Sequence, residues 1–247
     1  MCGGRHERSP LSAFAESLHI AAALVWQADV VLLRTVKLSL VVSGSACFLA
    51  AGFGLAGGAW LAVARFPGRR LLLAVLNTLL ALPSVVVGLV VYLLLSRSGP
   101  LGTWGLLFTP PAMVIAQTVL VLPVIAALAR QLVADSLRDG GDQLRSMGAR
   151  PFTCALLMLV HERWAVVTIV LTAFGRAVSE VGAVMIVGGN IDGLTRVITT
   201  TIALETSKGD LPLALALGLV LLALVGLING AITLSQRAQA TDLAGAR

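Results

Sequence analysis

Long apolar runs separated by short polar ones dominate the chain. None of residues 38–64, 71–96, 98–129 or 211–236 contains Asp, Glu, Lys or Arg, and a helix needs about 20 predominantly apolar residues to cross a bilayer. The pattern predicts five crossing helices, at about Val36–Ala64, Leu71–Ser96, Pro111–Ala129, Ala165–Gly188 and Leu211–Leu234. The fourth differs from the rest: the run WAVVTIVLTAFGRAVSEVGAVMIVGGN crosses only if Arg176 and Glu180 go in with it. Residues 11–35 are apolar but broken by Glu16, His19, Asp29 and Arg34, which suits a helix lying at the interface. The expected organisation is an N-terminal tail with an interfacial helix over 1–35, a transmembrane domain over 36–236 with a polar loop at 130–163, and a tail over 237–247.

Composition agrees with a polytopic, all-α membrane bundle. Of 247 residues 57% are hydrophobic and 12% charged, where a soluble domain has about a quarter charged. The net charge of +6 is therefore read by position, because Lys and Arg concentrate in cytoplasmic loops. With the N-terminus outside, the inner loops hold Arg65, Arg69, Arg70, Arg130, Arg138, Arg145, Arg150 and Arg163, against Arg97, Arg196 and Lys208 outside. The outer-N-terminus topology follows, with the C-terminus inside. No basic patch interleaved with aromatics points to nucleic acid, and no internal repeat of the kind common in secondary transporters is visible. Cys2, Cys47 and Cys154 are scattered without CxxC or His at ligand spacing, so neither a metal site nor a disulfide is expected. Neither a lipoprotein anchor at Cys2 nor a cleavable signal peptide is expected from the first 35 residues.

Ionisable groups at membrane depth are costly and usually paired or turned toward protein or water. A helix would place Arg176 and Glu180 on one face, within reach of each other. They admit two readings: a neutralising pair that fixes packing, or a pair lining a pathway or gate. Thr172 continues the same stripe. Asn77 and Ser84 lie seven apart and would share a face, and Gln117 is a polar residue of the third span. These four are candidate pathway residues, though polar groups in membrane helices more often bond a neighbouring helix. Pro83 and Pro123 are expected to kink their spans. Gly54 and Gly58 form a GxxxG step that suits close helix packing. TRVITTTIALE, after Gly188-Gly189-Asn190, suits a short helix on the outer side.

The polar loop reads RQLVADSLRDGGDQLRSMGARPFTCALLMLVHER. Short helices are expected on either side of Gly148, with Gly ending the first and Pro151 starting the second. Loops this long are usually functional. This one resembles the cytoplasmic signature of ABC-importer permeases, E-A-A, three residues, G, nine residues, I-x-L-P. Asp142, Gln143 and Leu144 stand at the E-A-A positions, Gly148 at the Gly, and Met158 and Val160 at the I and L, while His161 replaces the Pro. RLLLAVLNTLLALPSVVVGLVVYLLLSRSGPLG and FGRAVSEVGAVMIVGGNIDGLTRVITTTIALETSKGD are similar to the tungstate-type branch of these permeases, whose nearest relatives import molybdate and sulfate.

The resemblance implies a type I permease fold. It also implies an assembly of two permease copies, two cytoplasmic ATPases and an extracytoplasmic oxyanion-binding protein. The loop around Gly148 would be the ATPase contact. The chain has no GxxxxGK[ST] phosphate loop, so no cofactor is expected on it and ATP would bind the partner ATPase. Molybdate or sulfate is the alternative substrate. An ion-coupled secondary transporter with Glu180 carrying protons, and an assembly protein without transport, are the competing classes.

Overall fold

The computed structural model describes residues 30–245, with short pieces at 18–20, 22–23 and 26; side chains beyond Gly230 are described only at Thr233. The expected interfacial helix therefore falls mostly outside the described residues. Helices account for the described architecture: α1 Val30–Val63, α2 Arg69–Leu80, α3 Ser84–Leu95, α4 Pro110–Ser146, α5 Pro151–His161, α6 Arg163–Val178, α7 Gly182–Gly188, α8 Ile198–Lys208 and α9 Leu211–Gly245. They fall into two compact units, Leu40–Thr195 in one and the residues up to Ser39 with those from Arg196 onward in the other.

Among the described residues, two single helices are long and apolar enough to cross a membrane, Leu32–Val63 and Pro110–Arg138. The other predicted spans need correction. The second is two helices, α2 and α3, bent by 103° at Ala81–Pro83. Proline drives the residue before it out of helical conformation, and Pro83 then sits as the N-cap of α3 with φ −63° and ψ 127°. The fourth is broken as well: α6 meets α5 at 80°, and it ends at Val178 before the short α7. Pro123, by contrast, lies inside an α4 that stays helical around it. Of the fifth predicted span, Leu211–Leu227 is the described apolar part.

The core of the Leu40–Thr195 unit is built from small side chains. Ala50, Ala112, Ala116, Ala173 and Ala183 are fully buried where α1, α3, α4, α6 and α7 meet. Apolar lipid tails offer helices no hydrophobic reason to associate, so close backbone approach and van der Waals contact do that work. Glycine takes this furthest. A Cβ on Gly58 of α1 would lie 2.5 Å from the Ala126 carbonyl oxygen of α4, and one on Gly88 of α3 would lie 2.7 Å from Ala183 Cα of α7. The GxxxG step is thus a packing seam, with Gly54 against Ile125 of α4. Arg69 closes the C-terminus of α1, its Nε and Nη2 donating to the Leu61 carbonyl at 3.3 and 3.1 Å, a favourable end for a cation.

In the second unit, Ile198 N–H at the start of α8 donates to Ser39 Oγ at 3.0 Å, and Ser39 Oγ donates to the Thr35 carbonyl at 2.9 Å. The predicted helix over TRVITTTIALE is α8, and the Val197 N–H before it donates to Thr200 Oγ1 at 3.0 Å. Thr199 and Thr200 are buried, so its Thr side faces protein.

Candidate pathway and coupling sites

The loop around Gly148 joins one long helix to a short one. α4 runs unbroken to Ser146, so the helix expected before Gly148 is the last third of a 37-residue helix. It ends in a closed C-terminal turn: Gly148 takes φ +83°, and Ala149 N–H donates back to the Leu144 carbonyl at 3.2 Å. That six-to-one bond around a left-handed residue satisfies a carbonyl left over at the helix end. Pro151 opens α5 at its first turn, where its missing N–H costs nothing.

α5 buries Cys154, Ala155 and Met158 on one side. Its other side stays open, with Phe152, Leu156, Leu157 and Val160 exposed, and Met147 before it is 82% exposed. Of the coupling candidates, Asp142, Gln143, Gly148 and Val160 are exposed and Leu144 is half-buried. Met158 is turned inward, its methyl 3.6 Å from where a Gly140 Cβ would be. Gln143, Leu144, Met158, Val160, His161 and Glu162 line one groove between α4 and α5, of about 680 Å³.

The pathway candidates come together only in part. Gln117 of α4, with Leu120 and Val121, lines a narrow crevice with Arg176, Ala177 and Glu180. Gln117 is 3% exposed; its Nε2 donates to the Ala177 carbonyl at 2.9 Å, while no donor among the described residues reaches its Oε1. An unsatisfied buried acceptor costs about 1–3 kcal/mol.

Arg176 and Glu180 do not share one helix: α6 ends at Val178 and α7 begins at Gly182, so Glu180 lies in the join between them. Glu180 instead accepts from the Ala183 N–H at 3.2 Å, holding the first turn of α7, and Arg176 is exposed in the single chain. Thr172 is also exposed and donates to its own helix at Thr168, 2.9 Å away. Asn77 and Ser84 are split between α2 and α3, so the shared face expected for them does not exist. Asn77 is exposed; Ser84 lies against α7, its Oγ 3.0 Å from where a Gly182 Cβ would be.

Sequence reasoning missed Thr195. It is fully buried, donates to the Gly188 carbonyl at 2.6 Å and accepts from the Ile191 N–H at 2.9 Å, closing the Gly188–Thr195 loop on itself. Nothing in a lone Thr beside an apolar run signals this. Two non-glycine residues of positive φ sit nearby, Phe108 and Asn190, and Phe108 N–H donates to the Val187 carbonyl at 3.0 Å.

The helical membrane architecture agrees with comparisons to known proteins. No family model matches the chain. A probable anion ABC transporter permease of Haloferax volcanii is 44% identical over 203 residues, covering 80% of this chain and 88% of that protein. Tungstate uptake system permease TupB of Peptoclostridium acidaminophilum is 42% identical over 222 residues, 88% of this chain and 96% of its own length. The protein of the same name from Campylobacter jejuni is 38% identical over 209 residues, 85% and 87% of the two chains. Identity at this level, over most of both chains and on apolar helices able to span a bilayer, places the protein in the membrane, and the chain belongs to the ABC transporter permease family.

Proposed function

We propose that the chain is the pore-forming subunit of an ATP-driven importer of tungstate. The observation that carries the substrate is its likeness, over nearly full length, to two permeases named for tungstate uptake. Two copies form the pore in this reading. An ABC ATPase docks on the exposed apolar side of α5 and the groove beside it, and an extracytoplasmic protein delivers the oxyanion. ATP is bound and hydrolysed on the ATPase, since this chain has no phosphate loop to cradle a nucleotide.

The geometry supports a mechanical route between the two sites. α4 carries Asp142, Gln143 and Leu144 near one end and Gln117 near the other, about 40 Å apart along a continuous helix. A displacement at α5 is carried by α4 to the crevice where Arg176 stands and where α6 breaks into α7. One fixed cation there, offset by the Glu180 carboxylate in the same crevice, suits transport: a dianion must be attracted, yet held weakly enough to leave.

The test is uptake in cells lacking their own tungstate transport, supplied with this chain and its cognate ATPase and binding protein. Intracellular tungsten, molybdenum and sulfur are measured by mass spectrometry. Tungsten accumulation that stops when the chain is omitted is the expected result. Accumulation of molybdate or sulfate alone overturns the substrate, and accumulation of none overturns transport.

A further inference from the structure

A basin of about 1050 Å³ opens where α1 ends, where α2 begins, and along the polar part of α4 beside α5. Arg65, Arg69, Arg130 and Arg138 line it against a single carboxylate, Asp142. Two of the four arginines are already engaged: Arg69 on the Leu61 carbonyl, and Arg138 on Asp135 at 3.2 Å. Arg65 and Arg130 meet no carboxylate within ion-pair distance among the described residues, and Arg130 is half-buried. Arg65 and Arg130, without a carboxylate partner on one concavity, leave it suited to an anion.

Height along the helices selects which anion. The charge-free part of α4, residues 110–129, is about 30 Å long, the thickness of the hydrocarbon core. Arg130 is the first residue past it. Arg65 is likewise the first charge after the charge-free run 38–64 of α1. Trp60, 46% exposed and stacked on Phe66 at 5.4 Å, lies a little over one turn before Arg65, and Trp marks the membrane interface. Arg65 and Arg130 therefore stand at the level of the lipid phosphates, and Arg138 lies about 12 Å farther out. Guanidinium binds phosphate oxygens through paired, charge-assisted hydrogen bonds.

We propose that this basin binds the phosphate of an anionic phospholipid of the leaflet it faces. The basin lies apart from the crevice and shares only Asp142 and the start of α5 with the proposed ATPase contact, so the proposal stands independently of the transported substrate.

Purified full-length chain in detergent is titrated with phosphatidylglycerol and, separately, with phosphatidylcholine, and bound lipid is counted by native mass spectrometry. Wild type is expected to hold phosphatidylglycerol several-fold more tightly. Arg65→Gln with Arg130→Gln should lose about thirtyfold of that affinity, and each single variant about fivefold, at roughly equal worth per arginine. The single variants give the same reading if the double variant folds poorly by circular dichroism. Arg70→Gln, outside the basin, should bind as wild type does. Equal binding of the two lipids, unchanged affinity in the Arg65 and Arg130 variants, or full displacement of the lipid by millimolar inorganic phosphate would each overturn the proposal. The last outcome would make the basin a site for free phosphate.

Discussion

Arg176 and Glu180 look like a pair in the sequence and do different jobs in the fold. Glu180 accepts the Ala183 N–H and fixes the restart of the helix after the break. Losing a capping acceptor costs about 1 kcal/mol. Glu180→Ala should therefore lower the melting temperature of the purified protein, whereas Glu180→Gln, which keeps an acceptor oxygen, should restore most of it. Equal loss in both variants would mean that the charge, not the cap, is what matters. Arg176 is exposed in the single chain. If Arg176 has the proposed role of pathway cation, Arg176→Gln should leave thermal stability unchanged and lower tungstate uptake about tenfold, equivalent to about 1.4 kcal/mol. A stability loss without an uptake defect would return Arg176 to a packing role. Gln117 fits neither simple account: one end of its amide ties α4 to Ala177, and the other is left buried without a donor.

At the scale of elements, what was legible is what the chemistry of single residues dictates. Gly148 ends a helix in a left-handed conformation and Pro151 begins the next, as their backbone constraints require. The GxxxG step is a close helix contact, as two small residues one turn apart suggest. The breaks were less legible because hydropathy is blind to direction. NTLLALPSVVV and RAVSEVGAV stay apolar enough to read through, yet each bends where packing of α3 on α7 makes bending favourable. Pro83 and Pro123 show the ambiguity: identical residues, but Pro83 joins two helices at 103° while α4 stays helical through Pro123. The difference lies in neighbours distant in sequence, since α1 lies against the turn after Pro123 through Gly54 and Gly58. Gly58→Ala drives a methyl into the Ala126 carbonyl and should cost about 1–3 kcal/mol, read as a lower melting temperature. Gly52→Ala, with open space around its Cβ, should be neutral or slightly stabilising. The contact is misassigned if the two variants melt alike. At the coupling loop, Gly148→Glu places a charged residue at φ +83° next to the exposed face of α5. It should leave the permease inserted but lose co-purification of the ATPase. Intact ATPase binding with substrate-stimulated hydrolysis would remove the loop from that role.

At the scale of the whole molecule, the question is which way the helices point through the membrane. α4 settles where its own boundary lies: its charge-free first part matches the hydrocarbon thickness, and everything from Arg130 to Ser146 must extend beyond it. That projecting part is about 25 Å long and carries Arg130, Asp135, Arg138 and Asp142, so it cannot be drawn back into the apolar layer. The bend between α2 and α3 moves the loop after Leu95 along with α3 but adds no fixed positive charge beyond Arg97. Arginine therefore still collects on the side of α4's polar end, as the positive-inside rule requires of the cytoplasm. Ser98 follows α3 and Ser146 closes α4, and both are exposed. In a background with Cys2, Cys47 and Cys154 replaced by alanine, Ser98→Cys should react with an impermeant maleimide on intact cells. Ser146→Cys should react only after permeabilisation. Replacing Cys47 removes a thiol that donates to the Val170 carbonyl at 3.2 Å, so a Cys47→Ser background that keeps a donor serves as the check that labelling reports topology and not misfolding. The opposite labelling pattern in both backgrounds would invert the protein. The α5 face could then not meet a cytoplasmic ATPase, and the importer reading would fail with it.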